Sequence, residues 1–258
     1  MKRQWLTMLA ILMSVSALAI AATIATKTGT NFHDDFEVFY PFDVPSATVY
    51  NHGVYPQDGQ FIDVPSTPQW TNDNSNGYMI FDGVGTAIRS MYTNNFLKTD
   101  DWSIIFWQYS LTVNTAVQER MYGTAQAEGA ETILVQTLNS SDTMTSQIRG
   151  YTGATEAIAS SVRFSNEWVQ VAIVHDGTAG TYASYTNGAL AQSVTDGTTG
   201  SLRFNDSQAE DIYVGALNLN DTISSPFYGY IDEFGIVARA LTSTEVAWIA
   251  SLGLGGGL

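Results

Sequence analysis

The sequence predicts an all-β sandwich or barrel closed by a short C-terminal helix. Three observations carry that expectation. From Phe36 onward, turn signals recur every 8–12 residues between short runs of β-branched and aromatic residues. No long amphipathic pattern precedes residue 242, and no repeat of fixed period is present. At 258 residues and 45% hydrophobic content, the chain can fill one large β domain or two small ones.

The elements follow in order. Residues 1–25 form a hydrophobic segment: Met1-Lys2-Arg3 give a positive start, and Trp5 to Ala25 carry no charge. Ala19-Ile20-Ala21 before Ala22 fits the small-x-small cleavage pattern of a secretory signal peptide. The uncharged run is also long enough for a retained hydrophobic helix, crossing a bilayer or packing against copies of itself. Both readings stand, and both place the protein outside the cell or at its surface. Cleavage would remove Lys2 and Arg3, taking the formal charge from −15 to about −17. Residues 26–35 are a polar linker.

Trp168 to Val174 carries so few polar residues that it reads as a strand buried on both faces. His175 to Gly180 is a loop, with His175 expected as a polar surface residue at the strand end. Thr181 to Thr186 and Ala189 to Val194 then pair across Asn187-Gly188, the preferred dipeptide of a type I′ turn. The stretch 229–250 reads as a closing β-strand, a sharp exit and then a short capped helix. Thr242-Ser243-Thr244-Glu245 is a capping box, Leu241 and Val246 are placed for a hydrophobic staple, and Gly253 can end the helix in a left-handed conformation. Residues 253–258 form a glycine-rich tail. The polar stretch 123–166 gives no clear strand boundaries.

Several of these segments, in this order, resemble the laminin-G-like, concanavalin A-like jelly-roll superfamily. Phe39-Tyr40-Pro41-Phe42-Asp43 is similar to its opening strand, Phe81-Asp82-Gly83 to a strand-ending turn, and Trp102 to Trp107 to a central strand. The hairpin from Trp168 to Gly188, Ile212-Tyr213-Val214-Gly215 and the closing stretch 229–250 complete the match. The resemblance covers residues 36–252 and implies a two-sheet antiparallel jelly-roll sandwich with adjacent terminal strands.

Some members of that superfamily are glycosidases, which need two carboxyls about 5–9.5 Å apart across the scissile bond. Their carboxylates alternate along one strand face, yet no Glu here is followed two residues later by Asp. Asp232 and Glu233 are adjacent, so a regular strand would point them to opposite faces. No phosphate loop, nucleophile elbow or zinc-binding His pair is present, and there is no cysteine. These absences predict a non-enzyme. A charge of −15 disfavours nucleic acid and anionic lipid, leaving membrane contact to the N-terminal segment alone.

Calcium is the candidate cofactor, with Asp43, Asp82 and Asp232 at strand edges and Asp206, Glu210 and Asp211 in one loop. The competing reading has Asp82 and Asp232 hydrogen-bonding turn amides. Trp70, in the polar run Pro68 to Asp73, is a candidate sugar-stacking platform or a loop anchor, whereas Trp102, Trp107, Trp168 and Trp248 fit the core. Asn139, Asn205 and Asn220 open glycosylation motifs. The expected function is an exported recognition or adhesion module binding glycan or an extracellular protein. The alternative is a structural subunit of a filament, surface layer or virion that self-assembles through residues 1–30.

Overall fold

The structure, a computed structural model, describes residues 35–43, 46, 48–62, 70–73, 76–93, 101–111, 119–123, 133–138, 143–149, 155–162, 165–195, 211–219 and 222–254. The hydrophobic segment 1–25, the glycosylation motifs at Asn139, Asn205 and Asn220, and the acidic residues Asp206 and Glu210 lie outside them. Among the described residues no helix is long and apolar enough to cross a membrane.

The chain opens with β1 (Phe36–Tyr40), β2 (Gln60–Ile62), β3 (Trp70–Asp73), β4 (Asn76–Asp82), β5 (Ala87–Thr93) and β6 (Asp101–Ser110). It continues through β7 (Glu119–Gly123), β8 (Ile133–Leu138), β9 (Thr143–Arg149), β10 (Thr155–Val162), β11 (Trp168–Asp176) and β12 (Thr181–Thr186). Then follow β13 (Ala189–Thr195), β14 (Asp211–Val214), β15 (Leu217–Leu219), β16 (Thr222–Ser224), β17 (Tyr228–Val237) and the helix α1 (Ser243–Leu252). These strands pair antiparallel into an eight-stranded sheet, β13-β12-β11-β6-β17-β4-β3 with β1 also on β17, and a seven-stranded sheet, β10-β9-β8-β7-β14-β5-β2. β15 and β16 form a small separate ribbon. The stretch 123–166, unreadable in the sequence, supplies β8 to β10. Its core face at Met144 and Ser146 alternates with threonines, so a thin hydrophobic signal hid a regular strand.

The main core lies between the sheets. Met79, Phe81, Ile104, Phe106, Val169, Val171, Ile173 and Ile231 face it from the larger sheet, against Ile88, Met144, Ile212 and Val214 of the smaller one. Truncating one fully buried ring such as Phe106 costs about 3–5 kcal/mol, through lost burial and the cavity left behind. His175 belongs to this layer rather than the surface: it is 3% exposed, pairs with Trp102 and Tyr182 on the flanking strands, and stacks on Trp102 at 5.4 Å. Its strand runs two residues further than the sequence implied, to Asp176, and position 175 has inward parity.

A second core lies on the outer face of the larger sheet. α1 brings Val246 and Ile249, with Leu241 before it, onto Ile105, Ala172, Val174, Tyr185 and Val237. The capping box is formed as expected: Glu245 N–H donates to Thr242 Oγ1 at 3.2 Å, and Thr242 N–H to Glu245 Oε2 at 2.8 Å. Arg239 clasps Asp35, just before β1, to Glu245 on the helix, at 2.9 and 3.0 Å. Gly253 ends the helix at φ 75 and ψ 172, on the positive-φ side that glycine adopts readily but with ψ outside the αL well.

β17 organises the sheet. β6 runs along one edge of it, while the other edge is shared by β4, opposite residues 228–231, and β1, opposite residues 234–237. At the changeover the register slips between Asp232 and Gly235, and Glu233 adopts φ 49. This β-bulge ends the strict alternation that the sequence argument assumed for Asp232 and Glu233. Both residues are buried, at 0% and 6% exposure. Gly77 makes the crossing possible, because a Cβ there would overlap the Phe42 carbonyl as the chain leaves β1.

Candidate functional site: an aromatic outer face

Strand alternation decides what the outer face displays. Because Met79, Ile104, Phe106, Val169, Val171 and Ile231 point inward, Tyr78, Trp107, Tyr109, Trp168, Gln170, Tyr230 and Asp232 point outward. α1 covers only one half of this face. On the other half, Trp168, Tyr109 and Tyr230 stand side by side in register on β11, β6 and β17. Tyr78 joins them from β4.

The four rings converge. Tyr78 lies 4.9 Å from Tyr230 and 5.3 Å from Trp168, and Tyr109 lies 5.3 Å from Tyr230 and 5.7 Å from Trp168. β4 and β11 are separated by β17 and β6, which on a flat sheet would set them roughly 14 Å apart. The side chains therefore lean across the face to meet. All four are half-buried, so each keeps part of its surface to solvent. Burial, reinforced by the neighbouring phenols of Tyr78, Tyr109 and Tyr228, raises the Tyr230 phenol above its ordinary value, so it remains a hydrogen-bond donor at physiological pH.

The rim mixes polar and apolar groups. Asn166 and Glu167 are exposed just before Trp168, and the Asn166 amide donates to the Ser110 carbonyl at 2.9 Å, fixing that loop against β6. Tyr228 is 45% exposed two residues before Tyr230, and Val84 is 81% exposed at the neighbouring turn. One step further along the strands, Gln170, Trp107 and Asp232 form a second in-register row. These three are 0%, 9% and 0% exposed, although they face away from the sandwich core. Trp107 Nε1 and Gln170 Nε2 are buried with no hydrogen-bond partner among the described residues. Asp232 Oδ1 accepts from the Glu233 amide at 2.9 Å.

The structure separates the candidates drawn from the sequence. Trp70 opens the edge strand β3 and pairs with Met79, so it is on a strand and not in a loop; its side chain is not among those described. Asp43 is exposed just after β1. Asp82 turns its carboxylate into its own loop, where Oδ1 accepts from the amides of Val84, Gly85 and Thr86 at 2.9, 3.1 and 3.2 Å. Asp232 lies four residues along β17 from Tyr228, the partner of Asp82, which is roughly 13 Å of strand. That is too far for one ion. Among the described residues no group of three His, Asp or Glu is placed to hold a metal.

Trp102 is in the core as expected, but Trp107 and Trp168 are not between the sheets. Tyr78, Tyr109 and Tyr230 were not singled out by the sequence either. The available signal was parity: each lies one position off the inward residues of its strand. The register that aligns them comes only with the fold.

The family profile of the concanavalin A-like lectin/glucanases superfamily matches residues 82–247. Among curated proteins none matches the sequence. Among solved structures, the receptor-binding domain of botulinum neurotoxin C/D mosaic serotype is similar with a TM-score of 0.66 at 12% identity, covering 86% of this chain and 52% of that one. The type G receptor-binding domain is similar at 0.61 and 16% identity, covering 85% and 51%. The serotype D ligand-binding domain in complex with N-acetylneuraminic acid is similar at 0.62 and 12% identity, covering 86% and 52%. At such identities the likeness is one of fold, and this chain spans about half the length of those structures. With the profile matching well over half of the sequence, the chain belongs to the concanavalin A-like lectin/glucanases superfamily.

Proposed function

We propose that this protein is an exported, non-catalytic recognition or adhesion module that binds glycan through the outer aromatic face. The observation that carries the reading is the convergence of Tyr78, Tyr109, Trp168 and Tyr230 from four strands into one half-exposed platform. Aromatic faces pack against the C–H faces of a pyranose while phenol and indole edges donate to its hydroxyls. The rim residues Asn166 and Glu167 add donors and acceptors of their own. Export rests on the hydrophobic segment 1–25, and the lectins of the superfamily and the named binding roles of its structural neighbours agree with a binding module. The neighbours' ligand sites can reside in the half of their chains that this protein does not span, so the aromatic face carries more weight.

A non-catalytic role is supported by the carboxyls at this face. Asp232 and Glu233 sit side by side inside a bulge, whereas hydrolysis needs two carboxyls opposed across the bond. A printed glycan array with the full chain tests the proposal. The unmodified protein should retain a defined set of glycans, and Trp168→Ala and Tyr230→Ala should each weaken retention by about tenfold, the scale of one lost aromatic contact. Glycan binding that both variants leave intact would place the site elsewhere, and release of reducing ends from bound glycans would make the protein an enzyme.

A further inference from the structure

The aromatic face has a charge character as well as a shape. The four basic residues among those described all lie away from it. Arg89, Arg120 and Arg149 are on β5, β7 and β9 of the smaller sheet, and Arg239 is clasped between Asp35 and Glu245 at the helix. What stands at the rim is acidic. Glu167 immediately precedes Trp168, is exposed, and makes no hydrogen bond or ion pair among the described residues. The bond from the Asn166 amide to the Ser110 carbonyl holds its loop beside β6. The chain as a whole has a formal charge of −15, so the surrounding field has the same sign.

The rings favour a cation too. The separations within the quartet of Tyr78, Tyr109, Trp168 and Tyr230 run from 4.9 to 6.2 Å. A cation resting over its centre lies within about 6 Å of every centroid, the range of cation–π attraction for each ring that turns a face to it. The planes are inclined to one another by 30° to 72°, so the quartet offers faces and edges in several directions rather than one flat plate. The hydroxyls of Tyr78, Tyr109 and Tyr230 make no hydrogen bond among the described residues, so their oxygens are open to accept from an ammonium. Phenols can also donate to an anion. The ring faces, Glu167 and the lack of a base decide between the two signs.

We propose that the glycan taken by this face is a cationic amino sugar, a hexosamine with a free ammonium, packed on the aromatic quartet with its charge over the rings and toward Glu167. The inference rests on the face being a glycan site and names the class of sugar it selects. A neutral sugar gains the ring packing alone. An acidic sugar meets Glu167 with no described lysine or arginine on this face to offset it.

The test is titration of the full chain, at physiological ionic strength, with methyl glucosaminide, methyl N-acetylglucosaminide, methyl glucoside and methyl glucuronide, their galacto counterparts, and choline. Binding is followed by NMR of the tryptophan indole N–H signals. N-acetylation removes the charge on an otherwise identical ring, so that pair isolates the cation. In one of the two series the amine should bind about fivefold to tenfold more tightly than the N-acetyl sugar and the plain glycoside, and the uronate more weakly than either. Glu167→Gln should cut the amine-to-acetyl ratio by about twofold to threefold, the scale of an exposed ion pair. Trp168→Leu keeps apolar bulk but loses the indole face, and should cut the ratio by about threefold or more. If Trp168→Leu fails to fold, the exposed Glu167→Gln decides alone. Neutral sugars or uronates binding as tightly as the amine would overturn the charge selection and leave the glycan face standing. A preference for the amine that neither variant reduces would trace it to the charge of the whole chain and overturn the selection equally. Choline bound as tightly as the amino sugar, with neutral sugars ignored, would make the face a plain ammonium site and remove the glycan reading with it. Failure of the unmodified protein to bind any of these sugars, in solution or on the array, would remove both.

Discussion

Asp82 shows how a residue with the right chemistry for a metal can be fully employed by the chain itself. Burial alone would push its carboxyl upward, but hydrogen bonds from the Val84, Gly85 and Thr86 amides, with the Thr86 side chain, outweigh that and hold it below its ordinary value of 3.8. A folded-state value lower than the unfolded one means stability that is present above about 3.8 and is lost as the pH falls through the depressed value. Asp82→Ala should therefore lower stability by about 1–2 kcal/mol at pH 7, the scale of charged hydrogen bonds at a partly exposed turn, with the difference shrinking below pH 3. Urea denaturation at pH 7 and pH 2.5 checks both parts. A variant as stable as the parent at pH 7 would mean the turn holds itself without this cap. The sequence offered this role for Asp82 beside the metal one, and could not choose between them. Three amides converging on one oxygen is a fact of backbone geometry, which no residue spacing encodes.

Elements were more legible where local chemistry decides them. Asn187-Gly188 was readable because a type I′ turn needs two positive φ values, and the structure has 49° and 77° there. The capping box at Thr242 was readable for the same reason, since its partners are three residues apart. Beyond this, Gly188 has a tertiary duty that the sequence did not show. A Cβ there would come within 2.9 Å of the Ala247 Cα and 3.0 Å of the Ala250 Cβ, so the hairpin tip beds directly on α1. Gly188→Ala should cost about 2 kcal/mol, combining the strain of a left-handed alanine with displacement of the helix. Hydrogen exchange should show the added opening concentrated in α1 and the β12–β13 hairpin. Protection lost evenly over the whole sandwich would contradict a local seat. Glu233 is the opposite case: its bulge arises because β17 trades β4 for β1 as a neighbour, so the alternation rule failed where long-range topology intervened. The aromatic face was hidden for the same kind of reason, as Trp168 and Tyr78 are distant in sequence and meet only through two intervening strands.

At the scale of the whole molecule, a formal charge of −15 is carried by a chain with only ten basic residues. Such an excess repels itself more in the compact state than in the unfolded chain, and the repulsion is long-ranged at low salt. Lowering ionic strength from 0.15 M to 0.01 M lengthens the screening distance from about 8 Å to about 30 Å, comparable to a domain's own width. Among the described residues, the clasp that would respond in the other direction, Arg239 with Asp35 and Glu245, is partly exposed and contributes little against that sum. The melting temperature should thus rise with sodium chloride over this range by about 3 °C or more, given roughly 2–4 °C per kcal/mol for a domain of this size. The same scan separates screening from site binding. With Asp82 satisfied by amides, Asp232 buried in a bulge and Asp43 standing apart, calcium and magnesium at equal ionic strength should shift the melt equally. A rise specific to calcium would show that acidic residues do assemble into an ion site, and a melt indifferent to sodium chloride would mean the charge is already balanced within the fold.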